Sequence, residues 1–360
     1  MTINFLLNSV LDAHALKRVN DFKAAGCNVR VHGFLRAEEK IRPTDSNVHV
    51  IGTFSNNLSY RKRLSIYAKS IKRLFRENNG KDEVWYYLGL DVAMFAILLG
   101  PHRRFVYEEC DLVQTYLSSS FMQKVFEKLD KYIICHALVA IFTSEGFLDY
   151  HYGSCNLRPN MMIVPNKLSP AVKDAGGMSH AASRGKHLRF AFVGGIRYQS
   201  LLSIANLISK NFPSHEFHFY GFLSPTIPEE QLPHHPNLFY HGRFKSPDDL
   251  PRIYDQTDVL VCTYDTKKKN VCYAEPNKLY EAIWFRRPIV VSKGTFLADK
   301  VSKLKIGFSV NPFDEEDVVK VVGKCERFLA SADSLRIWDS LDINPIDNID
   351  YVETILNRIQ

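Results

Sequence analysis

The chain lacks the features of several large protein classes. No uninterrupted apolar stretch approaches the roughly 18 residues that a helix needs to cross a bilayer. The seven cysteines are scattered and no Cys-x-x-Cys pair occurs, which argues against a disulfide framework or a zinc ribbon. The amino terminus carries neither the basic segment nor the small-residue cleavage site of a signal peptide. These absences predict a protein of a reducing cytoplasm.

Sequence motifs of several enzyme classes are also missing. There is no Gly-x-x-x-x-Gly-Lys-Ser/Thr loop, no His-Glu-x-x-His and no Asp-x-Asp pair. A NAD-dependent dehydrogenase should carry Gly-x-Gly-x-x-Gly after its first strand, where this chain has Asn8-Ser9-Val10. We therefore expect neither a metal nor NAD. Arginine, lysine and helix dipoles would have to stabilise any negative charge that develops in a reaction.

The chain contains enough apolar sequence for two folded domains. It has 360 residues, of which 46% are hydrophobic and 24% are charged. The net charge of +7 is modest for this length and permits an anionic partner such as a membrane surface. We expect no nucleic-acid partner.

Strand and helix patterns alternate through 3–163 and restart at 188, which predicts parallel sheets with helices on both faces. The predicted fold class is α/β, with two Rossmann-like, doubly wound domains facing across a cleft. We place the first domain at 1–168 and the second at 187–340. The polar segment 169–186 is the expected linker, and 341–360 ends the chain with a helix.

The most informative segment, 276–292, predicts a helix, a tight turn and a buried strand. Pro276 suits the first helical turn, and Pro288 ends the helix. Lys278 and Glu281 lie near the helix N-terminus, which has unpaired N–H groups and a partial positive charge. A ligand with both phosphates and hydroxyls fits this end, which points to a nucleotide sugar. The alternative is an ordinary surface ion pair on a βα unit.

Two further turns in the second half favour the same ligand. Gly194 and Gly195 separate a strand from a helix, so the backbone can approach a phosphate, and the N-terminus of that helix should supply N–H donors. Arg197 can add a bidentate charge. Arg243 and Phe244 follow a later strand. The alternatives are a glycine turn with a solvent-exposed arginine, and a loop with one packed aromatic ring.

These segments resemble the signature of family 4-like glycosyltransferases of the GT-B fold. The matching patterns are "P-x-K-x-x-E … P-x-V" at 276–290, "V-G-x-I-R" at 193–197 and a run similar to "L-x-x-x-Y-x-x-A-D" at 250–258. The resemblance implies a retaining transferase that moves a sugar from a UDP- or GDP-sugar to an acceptor hydroxyl, with no further cofactor required. It also implies that the helix in 341–360 returns to the first domain.

The resemblance implies roles for the residues of the donor site. The expected partners of the diphosphate are Arg197 and Lys278, and the expected partner of the ribose is Glu281. The other members of the predicted donor site are Gly194, Gly195, Asn277, Leu279, Arg243 and Phe244, the last two bordering the base.

The chain departs from the family pattern at its first glutamate. The usual spacing places an acid eight positions before Glu281, where this chain has Tyr273. Glu275 lies six positions before Glu281 and is the candidate for contacting the transferred sugar. Asn270, Tyr273 and Glu275 lie in a predicted loop that should face the sugar. The identity of the sugar therefore stays open.

The first half contributes one acidic cluster, at 108–111, directly after a predicted strand at 104–107. It resembles the "V-Y-E-x-x-D-L" segment of polysaccharide-type members of the family. The resemblance places Glu108 or Asp111 beside the acceptor, where the carboxylate orients or deprotonates a hydroxyl. The alternative is a capped turn with solvated carboxylates. The expected acceptor is a glycan or a lipid-linked glycan of bacterial surface polysaccharide synthesis.

A cationic amphipathic helix is predicted at 60–77, with apolar residues on one face and basic residues on the other. The basic face comprises Arg61, Lys62, Lys69, Lys72, Arg73 and Arg76. In GT-B transferases such a helix often touches the membrane, which would place the protein in the cytoplasm at the inner face of the cell membrane. The alternative is that the apolar face packs on the sheet and the basic face is solvated.

Two other functions are compatible with these features. A GT-B nucleotide-sugar epimerase would act on the donor alone and needs acid and base groups that flank the sugar, which the sequence does not clearly present. A non-catalytic nucleotide-sugar-binding protein would keep the same donor site.

Overall fold

The computed structural model describes residues 1–39, 42–55, 57–78, 83–100, 103–154, 156–176, 187–331, 333–347 and 349–360. They form two compact units: Met1–Pro165 with Asn348–Gln360, and Asn166–Asp347. Residues 177–186 of the predicted linker lie outside the described part of the chain.

The first unit is built around a seven-stranded parallel sheet. Its elements are β1 (Thr2–Leu7), α1 (Ala13–Ala24), β2 (Asn28–Arg36), β3 (Val48–Phe54), α2 (Tyr60–Glu77), β4 (Val84–Leu88), α3 (Leu90–Leu99), β5 (Arg104–Glu109), α4 (Ser120–His136), β6 (Val139–Phe142), α5 (Glu145–Tyr152) and β7 (Met161–Ile163). The strand order is β3-β2-β1-β4-β5-β6-β7, and every pairing is parallel.

This sheet is covered on both faces. Successive residues of β1, such as Phe5 and Leu6, are both fully buried although they point to opposite faces. Helix α2 packs beside β3, and its apolar residues Tyr67, Ile71 and Leu74 are buried. The six residues of its predicted basic face are all exposed. The apolar face of the helix therefore supplies core packing, and its charges face solvent.

The second unit contains a six-stranded parallel sheet. Its elements are β8 (Arg189–Val193), α6 (Gln199–Asn211), β9 (Glu216–Tyr220), β10 (Leu238–Tyr240), α7 (Leu250–Asp255), β11 (Val259–Cys262), α8 (Lys269–Tyr273), α9 (Lys278–Trp284), β12 (Ile289–Ser292), α10 (Phe296–Leu304), β13 (Gly307–Val310), α11 (Glu315–Ala330) and α12 (Asp333–Asp339). The strand order is β10-β9-β8-β11-β12-β13, again with every pairing parallel.

The two sheets share one topology, which confirms the predicted doubly wound α/β fold. In each, the first strand lies between the second and the fourth, so the direction of winding reverses beside it. Doubly wound sheets bind ligands at this reversal, beyond the carboxyl ends of the strands. The expected sites therefore lie at the ends of β1 and β4 in the first unit, and of β8 and β11 in the second.

The last helix of the chain, α13 (Asp350–Ile359), belongs to the first unit. Val352, Ile355 and Ile359 are fully buried in the core cluster that contains β1 and β4. The Tyr351 hydroxyl donates to Asp21 at 2.5 Å. The helix is thus held by apolar burial and by a polar contact to α1.

Three short helices were missed from sequence: α8, α10 and α12. Helix α10 has a recognisable start, because the Thr295 hydroxyl caps the N–H of Ala298 at 3.1 Å. Strand β5 also runs two residues further than predicted, to Glu109. None of the helices within the described ranges is long and apolar enough to cross a membrane.

We expect Ile355→Ala to loosen α13 from the first unit. Removing a fully buried isoleucine side chain costs about 2–5 kcal/mol of folding free energy. Thermal unfolding followed by circular dichroism should give a lower melting temperature than the wild type. Asn357→Ala, at an exposed position of the same helix, is the matched control and should leave the melting temperature nearly unchanged. Equal melting temperatures for the two variants would contradict the docking of this helix.

Candidate functional site

Three neighbouring strands of the second unit, β8, β9 and β10, lead into glycines with positive φ. The φ values are 145° at Gly194, 143° at Gly221 and 73° at Gly242. A Cβ atom on Gly221 would lie 1.7 Å from the carbonyl oxygen of Gly194, and the Gly221 N–H donates to the Gly242 carbonyl at 2.7 Å. We call these three residues the glycine floor. Because it bears no side chains, a ligand can approach its backbone closely.

Two predicted arginines lie together beside the glycine floor. The guanidinium carbons of Arg197 and Arg243 lie 5.8 and 5.2 Å from the centre of the Phe222 ring. A Cβ on Gly195 would meet Arg197 Nη2 at 2.7 Å and Phe222 Cζ at 2.9 Å. Phe222, which is 37% exposed, was missed from sequence. Its only sequence signal is its position directly after Gly221.

Lys278 and Glu281 form a buried ion pair at the start of α9. Lys278 Nζ lies 2.6 Å from Glu281 Oε1, and the Tyr254 hydroxyl donates to Oε2. Burial, followed by the Glu281 charge, raises the pKa of Tyr254 well above its usual value. A Cβ on Gly194 would lie 3.6 Å from Lys278 Cε, so the pair adjoins the glycine floor. The lysine charge is compensated internally, which leaves the arginines as the less compensated cations.

The N-terminus of α6 differs from the expectation that it offers free N–H donors to a phosphate. The carboxylate of Asp265 accepts from the N–H of Ser200 at 2.8 Å and from the N–H of Gln199 at 3.3 Å. A side chain from the loop after β11 therefore already caps this helix. An anion at the glycine floor would rely on the floor's own backbone and on the arginines.

Glu275 is held away from solvent. It is 5% exposed, its Oε2 lies 2.7 Å from Lys300 Nζ, and the Tyr280 hydroxyl donates to its other oxygen. The segment before Glu275 was expected to be a loop that faces the sugar. It instead forms the short helix α8, which ends at Tyr273. Both carboxylate oxygens of Glu275 therefore already have partners within the protein.

Of three other residues predicted for the donor site, Leu279 is buried, whereas Phe244 and Asn277 are partly exposed. Leu279 is fully buried in the core, and Phe244 packs against the same core cluster. Asn277 directly precedes α9, and its side chain makes no cap hydrogen bond there. Contacts from Leu279 to a nucleotide would have to come from its main chain.

The structure separates the two predicted acids of the first unit. Glu108 lies inside β5 and is completely buried. Its Oε1 lies 2.8 Å from His14 Nε2 and 3.0 Å from Arg18 Nε, and the Tyr86 hydroxyl donates to Oε2. Burial alone would raise the pKa of Glu108, but Arg18 and His14 outweigh burial and hold it at about 2. Glu108 is therefore a fixed carboxylate of the interior that holds His14 in place.

Asp111, by contrast, lines an open cavity of about 660 Å³ at the carboxyl end of the first sheet, which we call the edge cavity. The polar lining residues are Asn8, Tyr60, Arg61, Arg63, Asp91, Asp111, Ser118 and Ser119, and the apolar ones include Leu64, Val113, Tyr116, Leu117, Met122 and Phe126. The cavity adjoins the ends of β1, β4 and β5, which is the predicted binding edge.

Asp91 is a second acid of the edge cavity that sequence reasoning missed. Burial raises the pKa of its carboxyl, and the Tyr60 hydroxyl donates to Oδ1 at 2.6 Å. A carboxyl with a raised pKa in a cavity is typical of functional sites. The available signal was its place three residues after the end of β4.

Two groups of described residues bring together atoms that can ligate a metal: His14, Glu108 and Cys110, and Glu109, Asp130 and His151. In the first group Arg18 already neutralises the carboxylate. In the second, burial raises the pKa of Glu109 to about 8, which favours the neutral carboxyl over the carboxylate that a metal would bind. Both groups belong to the first unit, whereas all residues predicted for the donor site belong to the second.

No protein-family model matches the chain. It is 19% identical over 341 residues to the succinoglycan biosynthesis protein ExoL of Rhizobium meliloti, covering 90% of this chain and 84% of that protein. Among solved structures, it resembles the lipopolysaccharide outer core galactosyltransferase WaaB, with 13% identity, a TM-score of 0.66, and 100% and 99% of the two chains covered. It also resembles HepE from Anabaena in complex with UDP and glucose, with 15% identity, a TM-score of 0.65, and 100% and 98% covered. These likenesses show the fold, which is the GT-B fold.

We expect Gly221→Ala to disrupt the glycine floor. The added methyl group would overlap the Gly194 carbonyl oxygen, so β8 and β9 would have to separate at their carboxyl ends. The melting temperature should fall, and the affinity for any ligand of the floor should fall with it. Gly294→Ala is the matched control, because Gly294 also has a positive φ but has open space around its Cβ position. If the two changes lower the melting temperature and the ligand affinity equally, backbone strain at a positive φ explains both, and the overlap with the Gly194 carbonyl has no separate effect.

Proposed function

We propose that this protein is a glycosyltransferase that moves a sugar from a nucleotide diphosphate sugar to an acceptor hydroxyl. The observation that carries the proposal is the glycine floor with its flanking residues. It combines bare backbone at the sheet edge with two arginines and, at the start of α9, a buried carboxylate. A diphosphate needs the first two features, and a ribose needs the third.

The donor diphosphate would lie on the glycine floor, with Arg197 and Arg243 as its cationic partners. Their contact with Phe222 limits the conformations that the two side chains explore, so less entropy is lost when they bind an anion. Lys278, which is the cationic member of the ion pair with Glu281, would add a further N–H donor to the diphosphate. Glu281 would accept from the ribose hydroxyls, because a carboxylate oxygen can accept more than one hydrogen bond.

UDP is the nucleotide that we propose first, with GDP as the alternative. The HepE structure, which shares the fold, contains UDP and glucose. We further propose retention of the anomeric configuration and a contact between Glu275 and the sugar. Both rest on the resemblance of 276–290 to the family signature. For Glu275, the contact would require Lys300 or Tyr280 to share its carboxylate.

The acceptor would bind in the edge cavity of the first unit. Asp111 and Asp91 are the two acids that line this cavity, and either would orient or deprotonate an acceptor hydroxyl. Glu108 is less suited to this role, because it is buried and is held as a carboxylate with a low pKa. Arg61 and Arg63 give the cavity a positive side that suits a phosphate-bearing acceptor.

A lipid-linked glycan is the acceptor class that we propose, within synthesis of a bacterial surface polysaccharide. The edge cavity has exposed apolar side chains at one side, including Tyr116 and Met122, and Phe121 beside them is 71% exposed. Arg61, the first residue of the exposed basic face of α2, also lines this cavity. Apolar rings together with basic charges favour contact with an anionic membrane surface. The name of the relative ExoL supports the polysaccharide context.

The donor site is tested by nucleotide binding. We expect a selective thermal stabilisation by one nucleoside diphosphate, because a ligand at about 100 times its dissociation constant stabilises by roughly 2.7 kcal/mol. Arg197→Ala should weaken binding of that nucleotide by about tenfold, as loss of a charge-assisted hydrogen bond predicts. Calorimetric titration gives the dissociation constants of the nucleotide for the wild type and the variants. Arg252→Ala, which removes an exposed arginine of the same unit, is the control and should bind normally.

Two results would contradict the donor site. One is stabilisation by NAD alone. The other is unchanged nucleotide affinity in Arg197→Ala and in Glu281→Gln, since these changes remove the proposed partners of the diphosphate and the ribose.

The acceptor side is tested by Asp111→Asn. We expect transfer to fall by about a hundredfold or more, as for loss of a general base, while nucleotide affinity stays at the wild-type value. Transfer is measured with a nucleotide sugar and a synthetic lipid-linked saccharide. The control Glu39→Gln changes an exposed acid outside the cavity and should transfer normally. Conversion of the donor without any acceptor would favour an epimerase instead.

A further inference from the structure

A second cavity of the first unit lies far along the strands from the edge cavity. It has a volume of about 440 Å³ and lies between β2, the edge strand β3 and the C-terminal half of α2. Its lining residues are Arg30, His32, His49, Val50, Ile51, Ser70, Arg73, Leu74, Glu77 and Asn78. We call it the edge-strand pocket. Its strand residues come from the first halves of β2 and β3, whereas the edge cavity adjoins the carboxyl ends of the strands.

The floor of the edge-strand pocket is a histidine with unmet hydrogen-bonding capacity. His32 is only 4% exposed, and neither of its ring nitrogens has a hydrogen-bond partner among the described residues. Burial, with the charges of His49 and Arg30, lowers the pKa of His32 to about 4. The ring is therefore neutral at physiological pH and offers one N–H donor and one acceptor. A buried polar group of this kind is costly unless water or a ligand satisfies it.

Two guanidinium groups line the pocket and are already fixed in place. Arg30 Nη1 donates to Glu83 Oε1 at 2.9 Å in an ion pair that partly compensates its charge. Arg73 Nη2 donates to the uncharged Ile51 carbonyl at 2.9 Å. A guanidinium has five N–H donors, so each arginine keeps donors for a further acceptor. Fixed, charged donors of this type bind oxyanions such as phosphate or carboxylate strongly.

The polar groups at the end of α2 disfavour a ligand that consists of an anion alone. Glu77 and Asn78 lie at the C-terminal end of α2, where the helix dipole is negative. A carboxylate and a negative dipole repel an oxyanion but accept hydrogen bonds from hydroxyls. The pocket therefore presents a cationic part and an acceptor part side by side.

We propose that the edge-strand pocket binds a small molecule in which an oxyanion is attached to a hydroxyl-bearing body, as in a sugar phosphate. The oxyanion would meet Arg30, Arg73 and the N–H of His32, and the hydroxyls would meet Glu77 and Ser70. No step of the proposed transfer reaction uses this pocket, so it is an additional binding site with its own ligand.

The test is a calorimetric titration of the full chain with glucose-1-phosphate, inorganic phosphate and glucose. We expect the sugar phosphate to bind more tightly than either of the other two. Arg73→Ala and His32→Gln should each weaken its binding by about tenfold. Arg76→Ala removes another exposed arginine of the same helix, outside the pocket, and it should change the dissociation constant less than twofold.

Nitrogen shifts of the histidine side chains, measured by NMR, locate the ligand independently of these variants. The His32 resonances should move on addition of glucose-1-phosphate at a concentration that saturates the calorimetric signal. Circular dichroism spectra that match the wild type would show that the variants are folded.

Three outcomes would overturn the proposal. Equal weakening by Arg73→Ala and Arg76→Ala would mean general electrostatic attraction to α2. Loss of binding in Arg197→Ala, with none in Arg73→Ala, would place the sugar phosphate at the glycine floor. If millimolar glucose-1-phosphate gives no heat of binding and no change in the His32 resonances, the pocket does not bind it. Because UDP binding tests the donor site separately, this result and the donor result are independent.

Discussion

Burial of both faces of a parallel sheet is the constraint on which the sites of this protein depend. When helices cover both faces, the carboxyl ends of the strands are the usual place for ligand binding. In both units the winding reverses beside the first strand, and this opens a crevice at the carboxyl edge. The glycine floor lies at that edge in the second unit and the edge cavity in the first. The sites thus follow from the topology, and the side chains at the strand ends decide what each site can bind.

The charges at these edges are arranged in two ways. Some are compensated internally: Lys278 by Glu281, Glu275 by Lys300, and Glu108 by Arg18. Such pairs cost desolvation and hold geometry more than they add stability. The arginines at the glycine floor are different, because they lie over Phe222, which carries no charge to compensate them. A ligand that brings negative charge would therefore interact chiefly with the arginines, while the buried pairs keep their positions.

The sequence predicts best those features that depend on residues close together in the chain. The fold class follows from alternating patterns, and the helix and strand of 276–292 follow from proline positions and an apolar run. Features that depend on distant residues could not be predicted in this way. Asp265 caps α6 from 65 positions away, and Arg18 reaches Glu108 from 90 positions away. Strand ends were also uncertain by two residues, and this placed Glu108 in a loop when it is a buried strand residue.

The same reasoning separates the two acids that the sequence grouped together. Adjacent residues of a strand point to opposite faces, and a residue past the strand end points to neither. Glu108 lies inside β5 and forms a buried ion pair with Arg18. Asp111 lies two residues beyond the strand and lines a cavity. Within the proposed function, the acceptor role therefore suits Asp111 better than Glu108, and Asp91, which follows the neighbouring strand β4, lines the same cavity. In that proposal the second unit would offer backbone and cations to a diphosphate, and the first would offer acids and apolar side chains to an acceptor.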